Sequence, residues 1–169
     1  VYATGAPFND AYRYVDWFLT VPLLLMELIL VMQLPAKETA SECLKLGSLA
    51  ALMVVLGYPG EVSPNMNVRW LFWGLAMLPF IVIVYKLVYG LSASIAQQPA
   101  NARELVSASV WITALSWCTY PIVYVFPMIG FTGASAMTSV QVGYSVADVI
   151  AKPILGLVVW RIAVAKSEK

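Results

Sequence analysis

The chain has 169 residues, 61% of them hydrophobic and only 11% charged, with a mean hydropathy of +0.80 and a formal net charge of +1. Soluble domains carry about 45–50% apolar and about 25% charged residues. The excess leaves almost no room for a soluble enzyme, and it excludes a disordered tail, a nucleic-acid binder and a collagen-like fibre. The chain reads as an integral membrane protein. At about 20 residues per span, its length holds five helices, and the apolar runs are too long and continuous for the alternating segments of a barrel.

The first predicted span runs from about Asp10 to Leu34 and stops at Pro35. Val1–Asn9 ahead of it reads as a loop, without the charged region or cleavage motif of a signal peptide, so the N-terminus has the look of an internal cut. A polar loop, Ala36–Glu42, leads to a second span near Cys43–Tyr58, closed by Pro59-Gly60. After the loop Glu61–Asn67, span three covers about Val68–Leu91. Span four runs from Asn101 to about Met128, and the connector Gly130–Ala136 precedes span five, Met137–Val164. Cys43 and Cys118 read as small hydrophobes with neither disulfide nor metal spacing. The chain has no histidine, so proton chemistry would rest on carboxylates, lysine or water.

Lys37, Lys45, Lys86, Arg103, Arg161, Lys166 and Lys169 fall on the side of the first loop and the C-terminus. The opposite side has Arg69, with Arg13 just inside span one. This asymmetry predicts an outer N-terminus and a cytoplasmic C-terminus.

Ionisable groups inside spans are costly and mark function by default. Arg13, Asp16 and Glu27 lie on span one, and Asp148 and Lys152 on span five. Asp16 and Thr20 are one helical turn apart, and so are Asp148 and Lys152. Asp16 and Glu27, eleven residues apart, fall within about 20° of one stripe and about 16 Å apart along it. Glu27 sits in an apolar stretch of Leu and Met, the surroundings a proton donor needs. A lysine this deep either pairs with a carboxylate or serves as an amine that forms a Schiff base with a carbonyl compound. Trp117, Tyr120 and Tyr124 make an aromatic stripe on span four, Trp17 and Trp73 add rings from spans one and three, and Pro22 and Pro121 bend their helices mid-span. Pro153, next to Lys152, frees the carbonyl of Val149.

Three segments carry a family resemblance. Arg13-Tyr-Val-Asp-Trp-Phe-Leu-Thr-Val-Pro-Leu-Leu-Leu-Met-Glu27 resembles the third helix of microbial rhodopsins, Trp117-Cys-Thr-Tyr-Pro121 the sixth, and Asp148-Val-Ile-Ala-Lys152 the seventh. The proteorhodopsin and xanthorhodopsin-like proton pumps are the groups it is most similar to. The resemblance implies an all-α membrane protein, a single rhodopsin domain over 1–169 that corresponds to the last five of seven helices. The first two helices, and the histidine that many relatives place against the counter-ion, would be missing.

By the same resemblance, Lys152 would hold all-trans retinal as a Schiff base, with Asp16 as counter-ion and proton acceptor and Asp148 as second counter-ion. Arg13 would be the outer gating cation, Thr20 would bond Asp16, and Glu27 would be the proton donor. Trp17, Leu24, Trp73, Trp117, Tyr120, Pro121 and Tyr124 would line the chromophore, and Leu24 implies green absorption. The connector Gly130–Ala136 has no acid, so a proton-release carboxylate there is absent. A carotenoid antenna would need a small residue on span three, with Gly74 the candidate and Trp73 its rival for that place. The implied function is a light-driven outward proton pump, a transporter rather than an enzyme, in a bacterial inner membrane. Its implied partners are lipid, protons and further copies of itself, with no nucleic acid. Two other readings stand beside it: a photosensory rhodopsin signalling through a partner, against which Glu27 argues, and a non-photoactive membrane protein using Lys152 and Asp148 as a buried ion pair.

Overall fold

The computed structural model describes residues 9–167, without the side chains of residues 134 and 135, so most of the expected N-terminal loop and Lys169 lie outside it. Among the described residues, seven α-helical segments build five membrane-length rods. They are α1 (Ala11–Val31), α2 (Ala36–Val62), α3 (Met66–Tyr85), α4 (Ser92–Ala96), α5 (Ala100–Val125), α6 (Ala134–Val149) and α7 (Leu155–Ser167). A π-helical stretch at Lys86–Gly90 leads from α3 toward α4, and another at Ile150–Ile154 joins α6 to α7. The five rods long and apolar enough to cross a membrane are Ala11–Val31, Ala36–Val62, Met66–Ala96, Ala100–Ile129 and Ala136–Ser167.

Local chemistry sets the ends. α1 gives way at Met32, and Gln33 takes a positive φ of 55° before Leu34-Pro35. The expected loop Ala36–Glu42 is instead the first two turns of α2. Pro35 starts that helix by accepting from the Thr39 amide at 2.9 Å, and the Thr39 hydroxyl donates to the Leu34 carbonyl at 3.0 Å. The polarity of this stretch therefore marks the end of the hydrocarbon layer and not the end of the helix. Pro59-Gly60 does not close span two either, because α2 continues to Val62. Asn65 opens α3 by accepting from the Asn67 amide at 2.9 Å. Gly130, at φ 97°, ends the 3₁₀ turn Phe126–Ile129 that follows α5. Pro153 has no N–H to offer the Val149 carbonyl, and the helix widens into a π turn around it.

Lipid tails are as apolar as leucine, so helices in a bilayer associate through close packing and small residues. α2 supplies these. Gly47 accommodates the Met26 side chain, Gly57 lies under the Tyr14 ring, and Gly60 lies against Tyr124 and Phe72. α2 thus packs between α1 and α3, while α5 packs on α6 and α7. One core cluster, including Leu25, Ile29, Leu46, Ile83, Val106 and Ile162, fills one half of the bundle. A second, of Tyr14, Trp17, Val54, Val123, Val140 and Tyr144, fills the other. One face of α1 is left uncovered, with Val15, Leu19, Leu23 and Leu30 exposed along it.

Candidate functional site

Between the two clusters lies a cleft lined by Tyr14, Trp17, Val21, Met53, Val54, Gly57, Trp73, Ala76, Met77, Phe80, Trp117, Tyr120, Pro121, Tyr124 and Tyr144. Its lining is almost wholly apolar and aromatic, as in small-molecule sites. Trp17 meets Tyr120 and Tyr144 edge-on at 5.1 and 5.2 Å. The Trp73 indole donates to the Pro121 carbonyl at 3.2 Å, tying α3 to α5 across the cleft wall.

The charged groups gather behind that wall. Trp17 Nε1 and the Tyr120 hydroxyl both donate to Asp148 Oδ1, at 3.2 and 2.6 Å. The same oxygen is 3.5 Å from Lys152 Nζ, whose other contact is a short ion pair with Asp16 Oδ2. The lysine therefore lies between a carboxylate on α1 and one on its own helix, one side chain removed from the cleft. Its side chain is 23% exposed and that of Asp16 is 46% exposed.

Several expected residues sit differently. The Thr20 hydroxyl bonds Asp16 through the main-chain carbonyl at 2.9 Å rather than the carboxylate. Arg13 lies 5.7 Å over the ring of Trp17, the same indole that bonds Asp148. It pairs with Asp10 at 2.9 Å, contacts the Gln141 amide oxygen, and lies 4.7 Å over the Tyr144 ring. Glu27 is exposed on the same side of α1 as Asp16, and no ion pair to it is found among the described residues. Leu24 packs against the first core cluster and does not line the cleft. Trp73 lines it, whereas Gly74 does not, and a Cβ added at Gly74 would meet nothing within 4 Å.

An apolar aromatic cleft with a lysine between two aspartates behind its Trp17–Tyr120 wall is the arrangement the sequence motifs imply. The chain matches the family of bacteriorhodopsin-like proteins over residues 2–166. It belongs to that family. A green-light absorbing proteorhodopsin of Gamma-proteobacterium EBAC31A08 is 29% identical over 157 residues, covering 92% of this chain and 62% of that protein. The crystallographic structure of xanthorhodopsin, described as a light-driven ion pump with dual chromophore, superposes with a TM-score of 0.92 at 47% identity, covering 98% of this chain and 66% of that one. The crystal structure of the light-driven proton pump rhodopsin of Coccomyxa subellipsoidea gives a TM-score of 0.72 at 29% identity, over 87% of this chain and 62% of that one. The chain thus spans less than two thirds of the length of these relatives.

Within this bacteriorhodopsin-like fold, sequence reasoning anticipated Trp17, Trp73, Trp117, Tyr120, Pro121 and Tyr124 as wall residues. It missed Tyr14 and Tyr144, which sit one turn before Trp17 and Asp148 and were legible as rings on the same faces. It also missed Met53 and Gly57 on α2, a helix with no charge near its middle to orient it.

Proposed function

We propose that this chain is the retinal-binding part of a light-driven outward proton pump. The observation that carries the reading is the Lys152 ammonium, held between Asp16 and Asp148 behind the Trp17–Tyr120 wall of the aromatic cleft. The residues present fit retinal. The lining is apolar and aromatic, and the only amine just behind it among the described residues is a lysine matched by carboxylates. Lys152 would carry retinal covalently at Nζ as a Schiff base, and bound retinal supplies green-light absorption and an isomerisation that changes the surroundings of that nitrogen.

The chain's own groups then divide the proton work. Asp148 Oδ1 is already committed to two donors, Trp17 and Tyr120, which hold it as a fixed anion. Asp16's carboxylate has only the lysine among the described residues, so it is the oxygen free to take a proton from Nζ. Asp16 lies toward the N-terminal end of α1 and Glu27 toward its other end. A proton leaving through Asp16 and replaced through Glu27 therefore travels toward the N-terminal side of α1. The lysine and arginine asymmetry makes that side the outside, with the C-terminus in the cytoplasm of a bacterial inner membrane.

A carboxylate facing hydrocarbon at mid-helix costs about 3 kcal/mol, and Asp16 and Glu27 are both exposed on the open face of α1. Protein must cover that face in the working assembly. This, with the coverage of the relatives, supports reading the five rods as the last five of a seven-helix bundle.

The test is spectroscopic first. Full-length protein given all-trans retinal develops a visible band that Lys152→Ala lacks. Illuminated cells acidify their medium, and Asp16→Asn abolishes the acidification while keeping a band. A wild-type protein with a band but no light-driven pH change would overturn the pump reading in favour of a sensory one. No band at all would overturn both.

A further inference from the structure

At the end of the bundle where α1, α3 and α7 finish, two lysines share one carboxylate. Lys45 Nζ donates to Glu42 Oε1 on its own helix, α2, at 3.3 Å. Lys86 Nζ, from the end of α3, donates to Oε1 and Oε2 of the same residue at 3.5 and 3.4 Å. Charge-assisted N–H···O bonds normally span about 2.7–2.9 Å, so neither ammonium is tightly held. Each has three N–H donors, and no second acidic partner of either is found among the described residues. One carboxylate offsets one of the two cations, which leaves the triad with a single net positive charge. Lys37 and Glu38, exposed in the first turn of α2, cancel each other.

The backbone builds this arrangement. The turn Lys86–Gly90 is π-helical, closed by the Leu91 amide donating to the Lys86 carbonyl at 3.0 Å. The Lys86 stem lies over Gly90, where a Cβ would stand 3.1 Å from Lys86 Cδ. Lys86 follows the 20 residues of α3, about 30 Å of helix, so its ammonium lies at the edge of a ~30 Å hydrocarbon layer. Tyr85 and Tyr89 flank it, both exposed, with ring centroids 5.4 Å apart. Tyrosines favour the boundary between hydrocarbon and headgroups. Deeper along α3, Leu78, Ile81 and Val82 are exposed as well. Because α2 stands between α1 and α3, this surface is separate from the uncovered face of α1. An incompletely neutralised cation pair above exposed aromatic and aliphatic side chains complements an amphiphile with an anionic end.

We propose that Lys45 and Lys86 form a binding site for the phosphate of an anionic glycerophospholipid, whose acyl chains lie along Leu78, Ile81 and Val82. Both ammoniums reach the same oxygen, Glu42 Oε1, and so stand close enough to share one phosphate group. Their uncommitted N–H groups donate to its oxygens, and Glu42 keeps the two stems together. A zwitterionic lipid carries its own cation and gains little from the net charge. The site needs neither retinal nor light, and it stands apart from the pump reading.

The experiment uses full-length protein in neutral maltoside micelles, titrated with dioleoyl phosphatidylglycerol or dioleoyl phosphatidylcholine. Native mass spectrometry reads the association constant of the first lipid bound. One net basic charge near an anionic group contributes about 1 kcal/mol, which is about fivefold in association. Phosphatidylglycerol should therefore bind about fivefold more tightly than phosphatidylcholine. Lys86→Gln brings the triad to zero charge and should abolish the preference, whereas Lys86→Arg should keep it. Glu42→Gln leaves two net charges and should raise the preference about another fivefold, a gain that a misfolded protein does not produce. Equal binding of the two lipids by the wild type overturns the proposal. So does an unchanged preference in Lys86→Gln, or a weakened one in Glu42→Gln, which would make the triad a helix-to-helix brace alone. Millimolar inorganic phosphate should leave bound phosphatidylglycerol in place, and its displacement would overturn the lipid assignment in favour of a free anion.

Discussion

Tyr120→Phe removes one oxygen from the wall between the cleft and the charged cluster. That oxygen donates to Asp148 Oδ1 at 2.6 Å, within the ~2.5–2.7 Å of charge-assisted O–H···O⁻ bonds. Hydrogen bonds to charged groups contribute about 1.5–3 kcal/mol. Asp148 keeps Trp17 Nε1 at 3.2 Å and Lys152 Nζ at 3.5 Å, so it is not stripped of partners. The loss therefore falls at the low end, about 1.5–2 kcal/mol. The phenyl ring retains its edge contact with Trp17 at 5.1 Å and its stack on Tyr144 at 6.1 Å, so packing is little changed. At about 1.4 kcal/mol per decade, the folding equilibrium shifts roughly 10- to 30-fold. Unfolding by SDS in mixed micelles, followed by tryptophan fluorescence, reads this directly. A double-mutant cycle with Asp148→Ala isolates the bond. With the acceptor gone, Tyr120→Phe should cost less than about 0.5 kcal/mol or become favourable, because the hydroxyl is left without its partner. An undiminished cost in the Asp148→Ala background would refute the argument and assign the effect to the ring.

Three further outcomes are expected. A Cβ at Gly60 would overlap the Tyr124 hydroxyl and come 2.9 Å from Phe72 Cβ, so Gly60→Ala should destabilise by about 1–3 kcal/mol in the same unfolding assay. Gly74→Ala, in open space, should be neutral or stabilising by up to about 1 kcal/mol, and equal costs at the two sites would contradict the packing described. Glu27→Gln should slow recovery of the resting state about 100-fold, the scale of a lost proton donor, while leaving Asp16's proton uptake unchanged. An added weak acid should restore the rate, and an unaltered recovery would remove Glu27 from the proton path.

Charge made the site legible before the fold was known. Asp148 and Lys152 at one-turn spacing, and Asp16 set against an apolar helix, located the cluster because a bilayer makes every internal charge conspicuous. The aromatic stripe of α5 followed from spacing alone. What stayed hidden was orientation. In water an inward face is apolar and an outward face polar, whereas a membrane helix is apolar on both. Met53 on the cleft and Leu52 in the open therefore look alike in sequence. The ends of α2 were obscured for a related reason. The sequence Gly57-Tyr-Pro-Gly60 has the composition of a turn, yet its glycines bring Tyr14 and Tyr124 close to a continuing helix. The same composition places Glu61 in a loop, whereas it lies inside the last turn of α2.

The π turn at Ile150–Ile154 has a consequence for what the last rod tolerates. Such a turn is equivalent to one residue inserted into an α-helix, and one residue is worth about 100° of rotation. The wide turn takes up that rotation between α6 and α7. α6 sets the bearing of Tyr144 and Asp148, and α7 sets that of Leu155, Val159 and Ile162, which are buried in the bundle. Deleting a single residue between 150 and 154 would straighten the rod and shorten it by only about 1.5 Å. Because the wide turn already absorbs the extra residue's rotation, the buried face of α7 would keep nearly the same bearing, whereas a deletion elsewhere in the rod would swing it by about 100°. Along this stretch alone the count of residues can fall by one without turning the face that the bundle buries.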